Sequence, residues 1–341
     1  MSCFDQYPGT MQAVMLVGGL GTRLRPLTYR IPKPLVPVMG RPLMMHVIDA
    51  LPPQVDHLII PVGYKREMMD AFIESQEFPV EITIVNEPDP LGTGGAIKNV
   101  EKLIKRDDTF LVLNGDVVAS VDLIKFVEFH KAKKAVASIT LWEVEDPTPF
   151  GVAELDKNGR ILRFQEKPTK EEAFSRLINA GAYALEPEVL DHIGLGFISM
   201  ERTVFPKLLS KGMYGFKFEG HWTDCGSREG VIAAHIALMK QNGSYLAESA
   251  TTYDTNLMNP FCVEPDCRIV NAKIGPGTYI GQGSVILDDS HVENSVVLPG
   301  ARIGRWCHLE NCIVDQGFRV PDSTSIKDMV FANEPPEPEN D

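Results

Sequence analysis

Five charged residues have side chains that suit the binding of phosphate groups: the carboxylates Asp116 and Asp224 and the cations Arg23, Lys33 and Lys167. Mg²⁺ takes oxygen ligands and keeps several waters and substrate phosphates, so one or two carboxylates suffice to bind it. Arginine makes charge-assisted bonds to phosphate oxygens, and lysine supplies a compact point charge. A lone aspartate is more often a helix N-cap or turn residue, so the surrounding segments decide.

A glycine-rich segment follows a short apolar run: residues 18–28 read Gly-Gly-Leu-Gly-Thr-Arg-Leu-Arg-Pro-Leu-Thr. Its glycines let backbone N–H groups approach a triphosphate closely. The spacing is neither that of a dinucleotide-binding loop nor that of a Walker loop. Pro32-Lys33-Pro34 comes next, and prolines on both sides fix the backbone around Lys33. The two segments together predict a triphosphate-binding loop, although a lone Lys33 would be interpreted as an exposed loop residue.

Strand and helix patterns alternate through the first two thirds of the chain and predict a doubly wound α/β sheet. Apolar runs indicate strands, and the stretches between them indicate helices. The predicted strands are 12–17, 57–62, 81–85, 110–113 and 135–141, and the predicted helices are 43–51, 66–75, 95–105 and 123–131. In such a sheet the ligand crevice lies beyond the carboxyl ends of the strands. Asp116 and Asn114 come at the end of one of them.

Aliphatic residues recur every six positions in the last third, at Ile274, Ile280, Ile286 and Val292 and again at Val297, Ile303 and Leu309. This hexad predicts a left-handed parallel β-helix of about three coils. A β-sandwich with chance spacing is the alternative. We expect a catalytic domain over 11–241, joined through a helix over 230–241 to a β-helix over 256–325. The acidic, proline-rich tail over 333–341 is expected to be disordered.

Composition excludes some classes of partner. The 341 residues carry 46 Asp and Glu against 33 Lys and Arg, a net charge of -13 that disfavours nucleic acid and anionic membranes. No apolar run approaches the roughly 20 residues needed to span a bilayer. Without a secretory segment, we expect a cytoplasmic protein whose six cysteines are structural thiols: Cys3, Cys225, Cys262, Cys267, Cys307 and Cys312.

These segments together resemble the nucleotide-sugar pyrophosphorylase family, whose signature is G-G-x-G-T-R-L-x-P-L-T followed by P-K-P. Further matching segments follow in the same order: Leu91-Gly92-Thr93-Gly94-Gly95-Ala96, Asn114-Gly115-Asp116, Phe164-Gln165-Glu166-Lys167-Pro168 and Trp222-Thr223-Asp224-Cys225-Gly226. Phe150-Gly151-Val152 and Asn179-Ala180-Gly181 match two segments that line the sugar pocket. The resemblance implies a sugar-1-phosphate nucleotidyltransferase with a Rossmann-like mixed sheet.

The resemblance also implies a role for each residue of the site. Arg23, Lys33, Asp116, Lys167 and Asp224 would be catalytic, and Asp116 and Asp224 would share one Mg²⁺. The nucleotide would contact Leu16, Gly18, Gly19, Gly21, Thr22, Arg23, Glu87, Gly92 and Thr93. The sugar phosphate would contact Asn114, Gly151, Glu166, Lys167 and Asn179. With no recognisable covalent nucleophile, the sugar phosphate would attack the α-phosphorus of the NTP directly.

The sequence indicates the nucleotide base and the sugar less strongly than it indicates the type of reaction. The segment from Asn86 to Gly95 looks like the base-facing loop of guanylyltransferases for mannose 1-phosphate and heptose 1-phosphate. Glu87 could accept hydrogen bonds from guanine, although an adjacent backbone carbonyl could do so as well. We expect GTP and mannose 1-phosphate. Heptose 1-phosphate with GTP, or glucose 1-phosphate with a thymidylyl or uridylyl donor, stays open.

Two interpretations from other functional classes also stay open. A non-catalytic regulatory subunit that binds nucleotide sugar would be expected to lose part of the phosphate and metal set, which is complete here. A β-helix that transfers acyl groups would need a general base, and only His291 and His308 offer one within the hexads. We expect the β-helix to serve assembly instead, as part of a homo-oligomer, because its open ends are best protected by packing on a neighbour.

Overall fold

A computed structural model describes residues 11–333. The expectations for Cys3, for the leader over 1–10 and for the tail from residue 334 onwards lie outside the described residues. Among residues 11–333, no helix combines the length and the apolar character needed to cross a bilayer.

Six α-helices and thirteen strands make up the described chain as far as residue 242. The α-helices are α1 (Leu43–Asp49), α2 (Arg66–Glu74), α3 (Gly92–Asn99), α4 (Leu123–Lys133), α5 (Phe205–Gly212) and α6 (Arg228–Asn242). The strands are β1 (Met11–Leu16), β2 (Pro37–Val38), β3 (Arg41–Pro42), β4 (Val55–Val62), β5 (Glu81–Asn86), β6 (Phe110–Asn114), β7 (Val117–Ala119), β8 (Ala137–Glu143), β9 (Gly151–Leu155), β10 (Ile161–Glu166), β11 (Leu177–Leu185), β12 (Met213–Lys217) and β13 (Trp222–Asp224). Short 3-10 turns lie at Thr22–Leu24, Leu27–Tyr29, Lys33–Leu35, Glu101–Leu103 and Pro187–His192, and a π-helical turn lies at Met200–Val204.

The remaining strands belong to the hexad region. They are β14 (Tyr245–Leu246), β15 (Thr251–Tyr253), β16 (Asn256–Leu257), β17 (Phe261–Val263), β18 (Arg268–Val270), β19 (Lys273–Ile274), β20 (Thr278–Ile280), β21 (Val285–Ile286), β22 (His291–Glu293), β23 (Val296–Val297), β24 (Arg302–Ile303), β25 (His308–Glu310), β26 (Ile313–Val314), β27 (Arg319–Val320), β28 (Ser325–Lys327) and β29 (Val330–Phe331).

Two compact units divide the described residues. The first comprises residues 11–19 and 46–222, and the second comprises residues 20–45 and 223–333. The second unit therefore takes the glycine-rich segment from Leu20 onwards and the Pro-Lys-Pro segment together with α6 and the hexad region.

A nine-stranded sheet forms the first unit. Its strand order is β10-β9-β11-β6-β1-β4-β5, with β8 pairing with both β11 and β12. Strands β6, β1, β4 and β5 are mutually parallel, whereas β11 runs antiparallel to β6. The mixed α/β sheet predicted from the sequence is confirmed. Ala13 and Val14 of β1 are fully buried, as expected of a central parallel strand.

The third predicted helix, over 95–105, has different bounds in the structure. Helix α3 begins at Gly92, and the Glu101–Leu103 turn follows its end at Asn99. At this start Gly92 takes a left-handed φ of 69°, and a Cβ there would lie 2.7 Å from the carbonyl oxygen of Ile198, so glycine is required. In addition, the N–H groups of Gly94 and Gly95 donate to the carbonyl of Ile198. This carbonyl lies about a hundred residues away, which no local pattern reveals.

A parallel β-helix forms the larger part of the second unit. Its strands stack in three ladders, of which one holds six strands and two hold five. Ile269, Ile286 and Ile303 stack in register and are fully buried. The hexapeptide-repeat β-helix is confirmed, but the prediction of about three coils was too low. About five coils are present, running from Tyr245 to Phe331.

The coil count was underestimated because the aliphatic series was followed only from Ile274 to Leu309. A coil takes 17 residues, so one of its three steps is five residues instead of six. The series continues on both sides of that stretch with buried aliphatic residues, at Val263 and Ile269 before it and at Val314 and Val320 after it.

Thr278, Ser284 and Ser290 are buried, and each hydroxyl donates to a carbonyl 14 residues further along the chain. The first coil has an exposed strand at Thr251–Tyr253, so an apolar hexad is not needed there. The five cysteines within residues 11–333 are buried thiols that form no disulfide with one another, as predicted: Cys225, Cys262, Cys267, Cys307 and Cys312.

Candidate active site

Four parallel strands of the first unit end at the same edge of its sheet. β1 leads to Gly18, β5 leads to Glu87, and β6 ends at Asn114 and leads to Asp116. Parallel strands place their carboxyl ends together, so these residues are assembled by the topology. The order β6-β1-β4-β5 sets Asn114 on one side of β1 and Glu87 on the other.

Glu87 is the most deeply buried carboxylate at this edge, with 6% of the residue exposed. Its Oε1 accepts a hydrogen bond from the backbone N–H of Leu91 at 3.1 Å. Its Oε2 is buried and has no hydrogen-bond partner among the described residues. Burial raises the pKa of Glu87, although the Leu91 hydrogen bond opposes this. A buried acceptor without a donor costs free energy until a ligand supplies one.

Asn114 presents a second buried acceptor, because its Oδ1 also has no hydrogen-bond partner among the described residues. Gly181 of the neighbouring β11 lies against this side chain. A Cβ added at Gly181 would lie 2.7 Å from Asn114 Nδ2, and Gly181 has a left-handed φ of 85°. Both observations explain why glycine is required there.

Gly151, Glu166 and Lys167 meet where β9 and β10 pair. Glu166 is the register partner of Gly151, and the N–H of Lys167 donates to the carbonyl of Phe150 at 2.9 Å. β9 in turn pairs with β11 at Val152 and Ile178, which brings Asn179 beside this pair of strands. Burial, and next the charge of Glu201, raise the pKa of Glu166.

Glu201 links the segments predicted to bind the nucleotide and the sugar, although the sequence around it, Ser199-Met200-Glu201, indicates only a helix start. Its Oε2 accepts from Thr93 Oγ1 and Ser199 Oγ, each at 2.7 Å. Its Oε1 accepts from the hydroxyl of Tyr183 at 3.1 Å. That hydroxyl also accepts from Asn179 Nδ2 at 2.9 Å. Sequence reasoning missed Glu201 because the only local signal is the N-cap serine, which accepts from Arg202 N–H.

In the second unit, Arg23 lies beside Asp224. Its Nη2 lies 4.0 Å from Asp224 Oδ2, and 67% of the arginine side chain is exposed. Asp224 Oδ1 accepts from the N–H of Gly226 at 2.7 Å, which fixes the carboxylate in a turn. Asp224 therefore has the turn role that is common for an aspartate, and its second oxygen faces the guanidinium.

The loop that carries Lys33 is held at both ends. Thr28 Oγ1 donates to the carbonyl of Gly21 at 2.8 Å, which closes the glycine-rich turn. Beyond Lys33, the N–H of Met39 donates to Nε2 of the buried His235 at 3.0 Å. The same ring bonds the carbonyl of Val231 through Nδ1 at 2.8 Å. His235 of α6 is thus a neutral imidazole that anchors this loop.

The aspartates implied as metal ligands fit a hard divalent cation by donor type. Asp224 has 29% of its side chain exposed, and Asp116 is partly exposed in the turn after β6. Each offers carboxylate oxygens, the donors that Mg²⁺ takes.

The two units divide the predicted residues between them. The first unit holds Leu16, Gly18, Gly19, Glu87, Gly92, Thr93, Asn114, Asp116, Gly151, Glu166, Lys167 and Asn179, and the second holds Gly21, Thr22, Arg23, Lys33 and Asp224.

Two protein families match consecutive parts of the chain. Residues 12–241 match the family described as Nucleotidyl transferase. Residues 247–328 match the family described as GlmU-like, C-terminal hexapeptide.

Full-length relatives are similar over most of the chain. A mannose-1-phosphate guanyltransferase of Eremothecium gossypii is 35% identical over 348 residues, covering 95% of this chain and 94% of the relative. A mannose-1-phosphate guanylyltransferase of Mycobacterium tuberculosis is 34% identical, covering 88% of this chain and 83% of the relative.

Solved structures agree with the fold over about two thirds of the chain. A UDP-glucose pyrophosphorylase complexed with UDP-glucose is 25% identical, with a TM-score of 0.59, and covers 68% of this chain and 99% of its own. A structure from Bacillus anthracis described as a glucose-1-phosphate thymidylyltransferase is 26% identical, with a TM-score of 0.60, and covers 66% of this chain and 94% of its own.

Proposed function

This chain belongs to the nucleotidyl transferase family, and we propose that it joins GMP from GTP to mannose 1-phosphate and releases pyrophosphate. The two relatives named above carry this activity in their names at 34–35% identity over most of the chain.

The observation that carries the choice of base is the buried Oε2 of Glu87, which has no hydrogen-bond partner within residues 11–333. Guanine presents an N1–H and an N2–H side by side, and a carboxylate can accept from both. Thymine and uracil present one N–H between two carbonyls, which a carboxylate matches less well. Burial raises the pKa of Glu87, and two guanine donors would favour its charged form again.

The sugar is proposed to bind between Asn114 and Glu166. Asn114 Oδ1 is buried and unpartnered among the described residues, so it can accept from a sugar hydroxyl. Glu166 offers two oxygens to neighbouring hydroxyls, and Lys167 follows it with a point charge suited to the sugar phosphate.

The remaining charged residues are proposed to act on phosphate. Arg23 would hold the leaving pyrophosphate and Lys33 would neutralise the triphosphate. Asp116 and Asp224 are proposed to bind Mg²⁺, which supplies neutralisation of phosphate charge when bound. An oxygen of the sugar 1-phosphate attacks the α-phosphorus, a new P–O bond forms, and the bond to pyrophosphate breaks with its electron pair. Catalysis then comes from alignment and charge neutralisation.

The first test measures pyrophosphate release with Mg²⁺. GTP, dTTP, UTP, ATP and CTP are crossed with the 1-phosphates of mannose, glucose, heptose and N-acetylglucosamine. We expect GTP with mannose 1-phosphate to have the highest kcat/KM. A preference for another pair of substrates would support the nucleotidyl-transfer reaction but contradict the proposed base, the proposed sugar or both. Binding of nucleotide sugar without any release would favour a regulatory subunit.

A second test addresses Glu87 directly. Glu87→Gln keeps the size but replaces one acceptor oxygen with a donor. We expect kcat/KM for GTP to fall about 10- to 100-fold, because a hydrogen bond to a charged group is worth about 1.5–3 kcal/mol. Glu81→Gln, an exposed position at the start of β5, the strand that leads to Glu87, is the matched control. An equal loss for every NTP would argue against base recognition by Glu87.

A further inference from the structure

Three side chains with metal-binding chemistry share one outward face of the β-helix. His291 and Glu293 lie on β22, and His308 lies on β25 in the next coil, in register with His291. The residues between or beside them, Val292 and Leu309, are fully buried. Side chains alternate along a strand, so the two histidines and the glutamate all point away from the core.

The potential ligand atoms of these residues lie close together. His291 Nε2 is 3.9 Å from Glu293 Oε2, and His308 Nε2 is 4.0 Å from Glu293 Oε1. The imidazole rings are 4.9 Å apart between centroids and inclined at 64°. One ligand atom from each residue lies within 4.8 Å of the other two. Within residues 11–333, this is the one group of three or more His, Cys, Asp or Glu side chains with such spacing.

The hydrogen bonding of His291 also points to a ligand. Its Nε2 is buried and has no hydrogen-bond partner among the described residues. A buried imidazole nitrogen without a partner costs free energy, and a metal ion would supply one. By contrast Glu310, the register partner of Glu293 in the next coil, is bonded by Lys327 Nζ at 2.5 Å.

We propose that His291, Glu293 and His308 bind one divalent transition-metal ion of the Zn²⁺ class. Two imidazoles and a carboxylate suit Zn²⁺, whereas Mg²⁺ and Ca²⁺ prefer oxygen ligands alone. Three protein ligands leave one position for water in a tetrahedral site. The ion would join consecutive coils through residues 17 positions apart.

The geometry requires only small side-chain movements. Zn–N distances of about 2.1 Å place tetrahedral ligands roughly 3.4 Å apart, so the present atoms must close by up to about 1.4 Å. The side chains of His291, Glu293 and His308 are 29%, 25% and 45% exposed. Torsion changes at these partly exposed residues provide that movement without altering the strands.

The test is calorimetric titration of the full chain with Zn²⁺, after chelator treatment and in excess Mg²⁺ so that oxygen-only sites are already filled. We expect one equivalent to bind to the wild type. The affinity for Zn²⁺ should fall at least about tenfold in His308→Ala and in Glu293→Gln. Even the loss of a residue that only hydrogen-bonds to a metal ligand usually lowers metal affinity by about 10- to 100-fold. His192→Ala lies outside the cluster and should bind Zn²⁺ like the wild type.

X-ray absorption at the zinc edge adds a direct readout of the ligands. We expect scattering from two imidazole rings and no sulfur. Zinc bound through sulfur, no saturable binding to the wild type, or unchanged affinity in both variants would each overturn the proposal. Circular dichroism and Mg²⁺-supported pyrophosphate release of the variants separate loss of a ligand from loss of the fold, and His308→Gln provides a second variant with a polar side chain.

Discussion

At the scale of single residues, the candidate site contains two types of charged residue, buried carboxylates and an exposed arginine. Glu87 and Glu166 are carboxylates whose pKa values are raised mainly by burial. Arg23 is an exposed cation that contributes little to packing. Replacing a buried carboxylate such as Glu87 should change both the stability of the protein and its affinity for substrate. Replacing the exposed Arg23 should change the rate of the reaction alone.

Arg23→Ala tests this separation. We expect kcat to fall about 100-fold or more, the usual result of removing one charge-stabilising donor from a transition state. The Tm should change little, because an exposed ion pair such as that of Arg23 with Asp224 is worth about 0–1 kcal/mol. Steady-state kinetics and thermal unfolding measure the two quantities.

Arg25→Ala is the matched control for Arg23. Arg25 lies two residues after Arg23 and is also exposed. Its guanidinium carbon lies 4.7 Å from the centroid of the Tyr29 ring. The variant should keep most of the activity. A large loss of stability in Arg23→Ala without a specific kinetic defect would contradict the assigned role.

His130 predicts a pH dependence of stability. Its ring is 1% exposed and lies 2.9 Å from Ser138 Oγ and 3.0 Å from Glu186 Oε1. Burial lowers the pKa of His130 below 6.5, although Glu186 opposes this. The folded state then binds fewer protons than the unfolded state just below pH 6.5. Stability should therefore fall as the pH drops from 6.5 to the folded pKa.

Urea unfolding between pH 5 and pH 8 measures this effect. His130→Gln should remove that part of the pH dependence, while His192→Gln should retain it. A wild type and a His130→Gln variant with parallel stability profiles would show that another group is responsible.

At the scale of elements, Glu201 ties the π-helical turn to α3 through Thr93 and to β11 through Tyr183. Glu201→Gln removes an acceptor for one of three hydroxyl donors. We expect a loss of about 1–3 kcal/mol of stability, the cost of an unsatisfied buried group. The KM values for nucleotide and sugar phosphate should both rise.

The exposed Glu188→Gln is the control for this change. In a double-mutant cycle, Glu201→Gln and Tyr183→Phe should be non-additive, because the two side chains share a hydrogen bond. Additive effects on stability and on KM would place them in separate networks.

The aliphatic ladder of the β-helix makes a second prediction at this scale. Ile286 is fully buried between Ile269 and Ile303 of the adjacent coils. Ile286→Ala should cost about 2–5 kcal/mol of unfolding free energy, as is usual for truncation in a packed core. Arg302→Ala, on an exposed outward position, should cost far less. Denaturant unfolding compares them, and equal costs would contradict a packed ladder.

At the scale of the whole molecule, the chain has a net charge of -13, and the ends of the β-helix bear on its oligomeric state. β14 and β29 are the end strands of their ladder, and Tyr245 and Leu246 of β14 are largely exposed. An exposed end strand such as β14 favours association with a neighbour. Sedimentation at micromolar concentration should therefore give the mass of a dimer or larger homo-oligomer.

An end-strand variant localises that association. Leu246→Glu should weaken it, whereas Leu162→Glu, at another exposed leucine, should not. A monomeric mass for the wild type would contradict the prediction, and an effect of Leu162→Glu alone would move the contact to the sheet of the first unit.

Local patterns in the sequence were enough to determine the class of fold and the order of the site segments. A buried apolar run before Gly18 indicates a central strand, and a six-residue aliphatic repeat indicates a β-helix, because each pattern reflects the period of its own backbone. The placement of Glu87, Asn114 and Asp116 beyond strand ends follows from the same reasoning.

Only the tertiary structure brought together residues that are distant in sequence. The link from Glu201 to Thr93 spans 108 positions, and the carbonyl that receives Gly94 N–H lies on Ile198. His291 and His308 face each other because a coil takes 17 residues, which sets them in register beside Glu293. Two further coils became evident only from the strand register, because each 17-residue coil has one five-residue step that interrupts the six-residue period. Such contacts depend on strand order, register and burial, and these are properties of the packed chain that no local sequence period encodes.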